Sequence, residues 1–206
     1  MIELNGKDGG GQVLRSALSL SMVTGEAFRM VNIRGGRKKP GLMRQHLTCV
    51  KAAAKICDAS VDGAEMHSTE LVFSPGKPRS GDYVFKIGTA GSTTLLLQTV
   101  LPALMLLDSE SSVEIHGGTH NPMAPSADFI ERSFLPQLRA MGVGLEFLCE
   151  RMGFAPAGGG LIKVAVKPCS ELSELHLTQR GAVKNQLAEA VIVNVHEKVA
   201  DTELRA

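Results

Sequence analysis

Asp8-Gly9-Gly10-Gly11-Gln12, with Arg15 one helical turn further on, sets an acid, three residues without side chains and a cation where a short apolar segment gives way to a helical pattern. Bare glycines let backbone approach a phosphate closely, and a helix N-terminus favours negative charge. Asp8 has the chemistry to hold a divalent ion that bridges phosphate oxygens. The competing reading makes this an ordinary strand-to-helix turn with Asp8 as its N-cap, the commoner role for a lone Gly-rich turn that is no Walker A loop. A second group lies at Arg34-Gly35-Gly36-Arg37-Lys38-Lys39-Pro40-Gly41, followed by Arg44-Gln45-His46. Arginine forks suit phosphate oxygens and lysines add point charge, so this stretch reads as a clamp for RNA or polyphosphate. A solvated charge run is its plain alternative, and the two glycines among the cations weigh against it.

Two further segments carry polar groups at turns. Gly88-Thr89-Ala90-Gly91-Ser92-Thr93-Thr94 leaves amides and hydroxyls free at a helix start, and Gln98 follows on a helix otherwise rich in Leu, Val and Ala. A lone Gln there either faces solvent, forms a satisfied buried amide, or touches a ligand. His116-Gly117-Gly118-Thr119-His120-Asn121-Pro122 precedes Pro125, Asp128 and Phe129. Its two histidines have no third ligand at useful spacing for zinc, and no partner that orients His120 is evident.

The elements that must position these residues come in two copies. Ile33, Gly35, Gly36 and Pro40 match Ile115, Gly117, Gly118 and Pro122, each pair 82 residues apart. Such a period indicates duplicated supersecondary units. In the first, a strand at Ile2–Leu4 leads through the Gly-rich turn to a helix over Gln12–Val23, a strand at Phe28–Ile33, and a helix opened by Pro40 that runs to Cys57. Strands at Ser60–Ala64 and Glu70–Phe73 close it. The second has a strand at Tyr83–Ile87, a helix over Ser92–Leu107, a strand at Val113–His116, a helix from Pro125 or Ser126 to Met141, and strands at Gly144–Leu148 and Leu161–Val166. The order β-α-β-α-β-β, twice, predicts an α/β (α+β) sandwich with helices on a mixed sheet. Residues 1–170 form the main domain, with units at about 1–75 and 82–167. Residues 171–206 read as the start of a small inserted domain: polar strands over Glu171–Val195, then an amphipathic helix over Glu197–Ala206 that breaks off.

Composition bounds the function. The chain has 206 residues, 44% hydrophobic and 21% charged, with a net charge of +1, so any nucleic-acid site is a local basic patch. With no Trp and one Tyr, a surface built mainly on base stacking is excluded. Cys49, Cys57, Cys149 and Cys169 form no C-x-x-C pair and read as free thiols in a reducing compartment. The N-terminus lacks a signal-peptide pattern, and the apolar run Leu95–Leu107 is too short and too polar to span a bilayer, which predicts a cytoplasmic protein.

Taken together, GGGQVLRSALSLSMVTG, IRGGRKKPGLMRQHL, AGSTTLLLQTVLPAL, GGTHNPMAPSADFI and GFAPAGGG resemble, in order, the RNA 3'-terminal phosphate cyclases. The resemblance covers residues 1–165, and the tail from Leu172 is similar to the start of that family's inserted domain. It implies an ATP-dependent enzyme that converts an RNA 3'-phosphate to a 2',3'-cyclic phosphate. A histidine takes AMP from ATP, AMP passes to the RNA 3'-phosphate, and the neighbouring 2'-hydroxyl closes the ring by expelling AMP. Asp8 then stands at the metal-binding carboxylate for Mg²⁺ or Mn²⁺. Arg15, Arg34, Arg37 and Arg44 contact phosphates of ATP or the RNA end, with Lys38, Gln12 and Gln45 nearby. Gln98 lines the nucleotide site, and Pro125 and Phe129 pack on the adenine.

The chain departs from the family pattern in three ways. Asp8 replaces the usual Glu, one methylene shorter. The loop Asn5-Gly6-Lys7 is shorter than its family counterpart. The family's nucleophilic histidine lies in a later segment, in a third repeat, and none of His46, His67, His116, His120, His176 or His196 matches it. The chain as it stands is therefore expected not to adenylate itself. Two alternatives share parts of the pattern: a non-catalytic cyclase-like protein of ribosome assembly, which typically loses the basic and nucleotide-pocket residues kept here, and an enolpyruvyl transferase, whose phosphosugar or shikimate motifs are not found.

Overall fold

The computed structural model describes residues 1–169 and 171–206, in two compact units, Met1–Leu175 and His176–Ala206. In the first unit a four-stranded sheet has the order β1-β2-β4-β3, from β1 (Ile2–Asn5), β2 (Phe28–Val31), β3 (Ser60–Asp62) and β4 (Leu71–Ser74). The second sheet has the order β5-β6-β8-β7, from β5 (Asp82–Lys86), β6 (Ser111–Gly117), β7 (Gly144–Arg151) and β8 (Gly160–Lys167). In each, the first pair is parallel and the other two are antiparallel, so the two copies share one wiring. The duplication extends to single hydrogen bonds: Gly36 N–H donates to the Lys7 carbonyl at 2.7 Å, and its match Gly118 donates to the Gly91 carbonyl at 2.8 Å. That contact pins each Gly-Gly loop beneath the turn that opens the preceding helix.

Helices α1 (Gly11–Thr24), α2 (Arg44–Cys57) and α3 (Thr93–Leu104) pack on one another and on the apolar faces of the strands. In α1, Leu14, Ala17, Leu18 and Met22 recur on one stripe and are buried. Gly25 ends the helix in the left-handed region, its amide donating to the Ser21 carbonyl. α3 is buried almost all round, through Leu96, Leu97, Val100, Leu101 and Leu104. Its Pro102 lacks an amide, which frees the Gln98 carbonyl from the helical ladder. Strands alternate as a half-buried sheet requires: Val113 and Ile115 of β6 and Ile162, Val164 and Val166 of β8 face the core, while Glu114, His116 and Lys163 face outward.

Several boundaries differ from the sequence reading. Pro40 does not open α2; Gly41 turns the chain at φ +78°, its amide bonded to the Ile33 carbonyl, and the helix begins after Met43. Asp8 is not the N-cap of α1. Gly10 holds that place with an extended backbone, and no side chain caps the helix. The single helix expected over 125–141 is α4 (Ala127–Phe129), a π-helical segment Ile130–Phe134 and α5 (Leu135–Ala140). Leu135 N–H reaches back five residues to the Ile130 carbonyl, and Pro136 has no amide to restore the α pattern. In the second unit the polar strands expected over Glu171–Val195 do not form among the described residues, Ser170 at the expected domain boundary lying outside them. Leu177 and Leu187 there are 70% and 80% exposed, so no apolar face repays the cost of ordering a strand. Only α6 (Lys198–Arg205) is regular in it.

Cys49, Cys57, Cys149 and Cys169 are free thiols. Among the described residues no helix is long and apolar enough to cross a membrane.

Candidate functional site

The turn Gly9–Gly11 needs its glycines because cationic side chains lie on it. A Cβ at Gly10 would stand 2.8 Å from Arg37 Nη2; at Gly11 it would strike the His46 imidazole and come within 2.9 Å of Arg15 Nη1. The loop 34–41 and the first turn of α2 are thereby folded over the start of α1, bringing Arg15, Arg34, Arg37 and His46 to one place from three segments. Arg15 is 92% buried, its Nη2 donating to Gln12 Oε1 at 2.6 Å, and burial lowers its pKa. Arg34, at φ +53°, spends Nη1 on the Lys39 and Gly41 carbonyls at 2.7 and 2.9 Å and so holds the loop's shape. Burial and the neighbouring Arg37 charge lower its pKa too. His46 is pushed down to about 4, by burial first and then by Arg34 and Arg15. Its Nδ1 accepts from Met43 N–H at 3.3 Å. No carboxylate pairs with Arg15, Arg34, Arg37 or His46 among the described residues, so the cluster's electrostatics call for an anion.

The first turn of α2 also reaches the second repeat. Gln45 Oε1 accepts from Ser92 N–H at 3.1 Å, and Arg44 lies beside Gly88, its Nη1 3.8 Å from where a Cβ would be. Arg44, Gln45 and His46 thus touch both Gly-rich turns in three consecutive residues. Between α1 and α3 a cavity of about 270 Å³ is lined by Gln12, Arg15, Ser16, Gln98 and Thr99, among others. Gln98 therefore belongs to a cavity wall shared with Gln12 and Arg15.

Not every expected residue converges there. Pro125 and Phe129 do not line this cavity: the Pro125 carbonyl accepts from Thr94 Oγ1 at 2.7 Å, one turn before Gln98 on α3, and Phe129 is 49% exposed. Lys38 is exposed, as is Asp8 on the turn itself. Sequence reasoning quoted His46 without giving it a role; only the fold shows its ring against Gly11. It also found no partner to orient His120. The structure supplies two: His120 Nε2 lies 2.7 Å from Asp128 Oδ2, and Nδ1 lies 2.7 Å from Thr119 Oγ1, with the ring stacked on Phe154 at 5.1 Å. That hydrogen bond with His120 is the main cause of a lowered Asp128 pKa. The i, i+8 spacing that joins them follows from the start of α4, which no strand or helix period displays.

His46 makes stability depend on pH with a defined sign. Its pKa is about 4 in the fold against 6.5 when unfolded, so between those values the unfolded chain binds more protons. Stability from the neutral ring is complete above pH 6.5 and drains away as pH falls towards 4, by up to ~3 kcal/mol at about 1.4 kcal/mol per unit. In His46→Asn, whose Oδ1 retains an acceptor for the Met43 amide, melting temperature is expected to fall less steeply over that window; equal slopes for the two proteins would refute the assignment.

A family described as RNA 3'-terminal phosphate cyclase matches residues 6–200. A protein of that name from Pseudomonas fluorescens is 55% identical over 205 residues, and one from Ralstonia nicotianae 53% over 208. Both alignments take in all of this chain and 60% of the relative, so the chain spans about three-fifths of the curated relatives it matches.

Proposed function

Because the chain belongs to the RNA 3'-terminal phosphate cyclase family, we propose that the unit Met1–Leu175 binds ATP and the phosphorylated 3' end of an RNA, and that a protein of the relatives' length closes that end to a 2',3'-cyclic phosphate. The observation that carries the reading is the gathering of Arg15, Arg34, Arg37 and His46 around a bare turn with no carboxylate paired to them. Such a cluster favours a polyphosphate over a neutral or cationic ligand, and the cavity wall of Gln12 and Gln98 offers amides to a nucleotide beside it.

A terminal phosphate monoester is a poor electrophile until it carries a good leaving group; that group is AMP, taken from ATP by a histidine as pyrophosphate leaves, then passed to an oxygen of the RNA 3'-phosphate as the bond to the histidine breaks. The 2'-hydroxyl then forms the new P–O bond, loses its proton, and AMP leaves with the electrons of the bond broken. Arg15, Arg37 and Arg44 are assigned to offset charge on the phosphates during transfer, Lys38 and Gln45 to the RNA end, and Pro125 and Phe129 to the adenine. Arg34 acts through the loop it shapes. Among the described residues no three His, Cys, Asp or Glu side chains cluster to hold a metal. Asp8, exposed on the turn beside Gly9–Gly11, is the carboxylate that would hold Mg²⁺ or Mn²⁺, and such an ion would offset charge on the phosphates.

The test is incubation with α-labelled ATP, a divalent metal and a 3'-phosphorylated RNA, on this chain and on a protein of the relatives' length. Acid-labile label on the longer protein, with RNA ends made resistant to phosphatase, is the expected result. Label on neither protein transfers support to the non-catalytic cyclase-like reading. Label on this chain places the nucleophile among its own histidines, with His120, already oriented by Asp128, the first to substitute.

A further inference from the structure

A second basic groove lies on the other side of the Gly88 turn. It measures about 240 Å³ and is walled by Lys86, His116 and Arg151, with Gly88, Thr89 and Gly160 forming its backbone edges. None of the described residues that line it is a carboxylate. Lys86 ends β5 on the solvent face and has no ion-pair partner among the described residues. Arg151 ends β7; its Nε donates to the Gly159 carbonyl at 2.6 Å, which fixes the stem, and Glu150 lies near enough to feel its charge. Gly88 and Gly159 adopt φ of +72° and +74°, so both edges are backbone that curves without side chains to block approach. The His116 ring is held 2.5 Å from Glu114 Oε1, which keeps it at the groove wall.

The groove continues the candidate site. Arg37 lies over Gly10, Arg44 lies beside Gly88, and Gly88 is itself an edge of the groove. A series of cations thus runs from the phosphate cluster across the second Gly-rich turn to Lys86 and Arg151. Among the described residues that line the groove there is no Phe, Tyr or Trp, and its one ring, His116, is held on Glu114, so its contacts suit a phosphate backbone better than a run of stacked bases.

We infer that this groove is a sequence-independent subsite for the RNA chain upstream of its 3' end, with Lys86 and Arg151 contacting backbone phosphates. The inference rests on the proposed function, since it takes the RNA end to lie at the cluster. Selection of longer RNAs over short ends would then be made here, apart from the reacting phosphate.

The experiment compares anisotropy titrations of 3'-phosphorylated dinucleotide and octanucleotide RNAs on this chain and on Lys86→Ala/Arg151→Gln, with Lys86→Glu as a second variant that leaves the Arg151 bond intact. The octanucleotide is expected to bind this chain more tightly than the dinucleotide. The double variant should lose about tenfold for the octanucleotide, with the salt slope shallower by ~1.4 for two lost contacts, while dinucleotide and ATP affinities hold. Lys86→Glu should likewise weaken the octanucleotide and leave the dinucleotide and ATP affinities unchanged. Unchanged octanucleotide affinity in both variants overturns the groove and leaves the cyclase reading intact. Failure of the unsubstituted chain to bind either RNA overturns that reading, and the groove with it.

Discussion

Arg15→Met is expected to melt no lower than the unsubstituted chain, and by a few degrees higher, while its affinity for ATP falls roughly tenfold to a hundredfold. The two halves of this result have one cause. Arg15 is 92% buried, its only hydrogen bond among the described residues is to exposed Gln12, and like Arg34 it lies close to His46. Taking a guanidinium out of water without an opposing charge is costly, and methionine fills the same path without that cost. On the proposed function, the arginine stands against folding because its partner is a phosphate of the ligand. Differential scanning calorimetry reads the first half and isothermal titration with ATP the second. A variant that binds ATP unchanged would remove Arg15 from the phosphate site, and one that unfolds would show that the guanidinium holds the helix start together.

Gly153→Ala should be among the most damaging small substitutions in the first unit, lowering stability by more than ~3 kcal/mol. A Cβ there would press on Gly160 and stand 2.6 Å from the Gly117 carbonyl and from Gly160 Cα, all of it backbone. Neither side can yield. The Gly153 carbonyl accepts from Thr119 and His120 N–H at 2.8 and 3.1 Å, and its own amide donates to Thr119 Oγ1 at 2.9 Å. Gly25→Ala is the matched control. It pays for a left-handed φ of +76° but meets nothing within 4 Å, so about 1 kcal/mol is expected. Chemical denaturation of the two variants separates steric from conformational cost; similar losses would mean that the chain around Gly153 relaxes.

The β-α-β-α-β-β order was legible because each element carries its own period: apolar stripes in α1, alternation in β6 and β8. The repeat was legible because its loops kept Ile, Gly, Gly and Pro at matched positions, and the Gly36 and Gly118 hydrogen bonds show what those glycines do. The start of α2 was misread because Pro40 carries a helix-opening signal that the tertiary bond from Gly41 to Ile33 overrides. The π-helical turn was missed although Pro136 lies well inside the expected helix, where a residue without an amide breaks the α ladder; the apolar pattern was followed past it. In the candidate site, charge and glycine content pointed to loops that the fold brings together. What sequence could not show was which side chains converge: His46 on Gly11, Asp128 on His120 and Gln98 with Gln12 all depend on how separate helices pack.

That Arg44, Gln45 and His46 touch both Gly-rich turns has a consequence for cooperativity. The site is a joint between the repeats, so neither copy owns a complete version of it. Fraying of α2's first turn would open both turns at once, and the amides of Gly11 and Ser92 should then exchange with solvent through a common event despite lying 81 positions apart in sequence. Free energy gained at either turn would thereby be shared with the other, and the two repeats would open as a single folding unit.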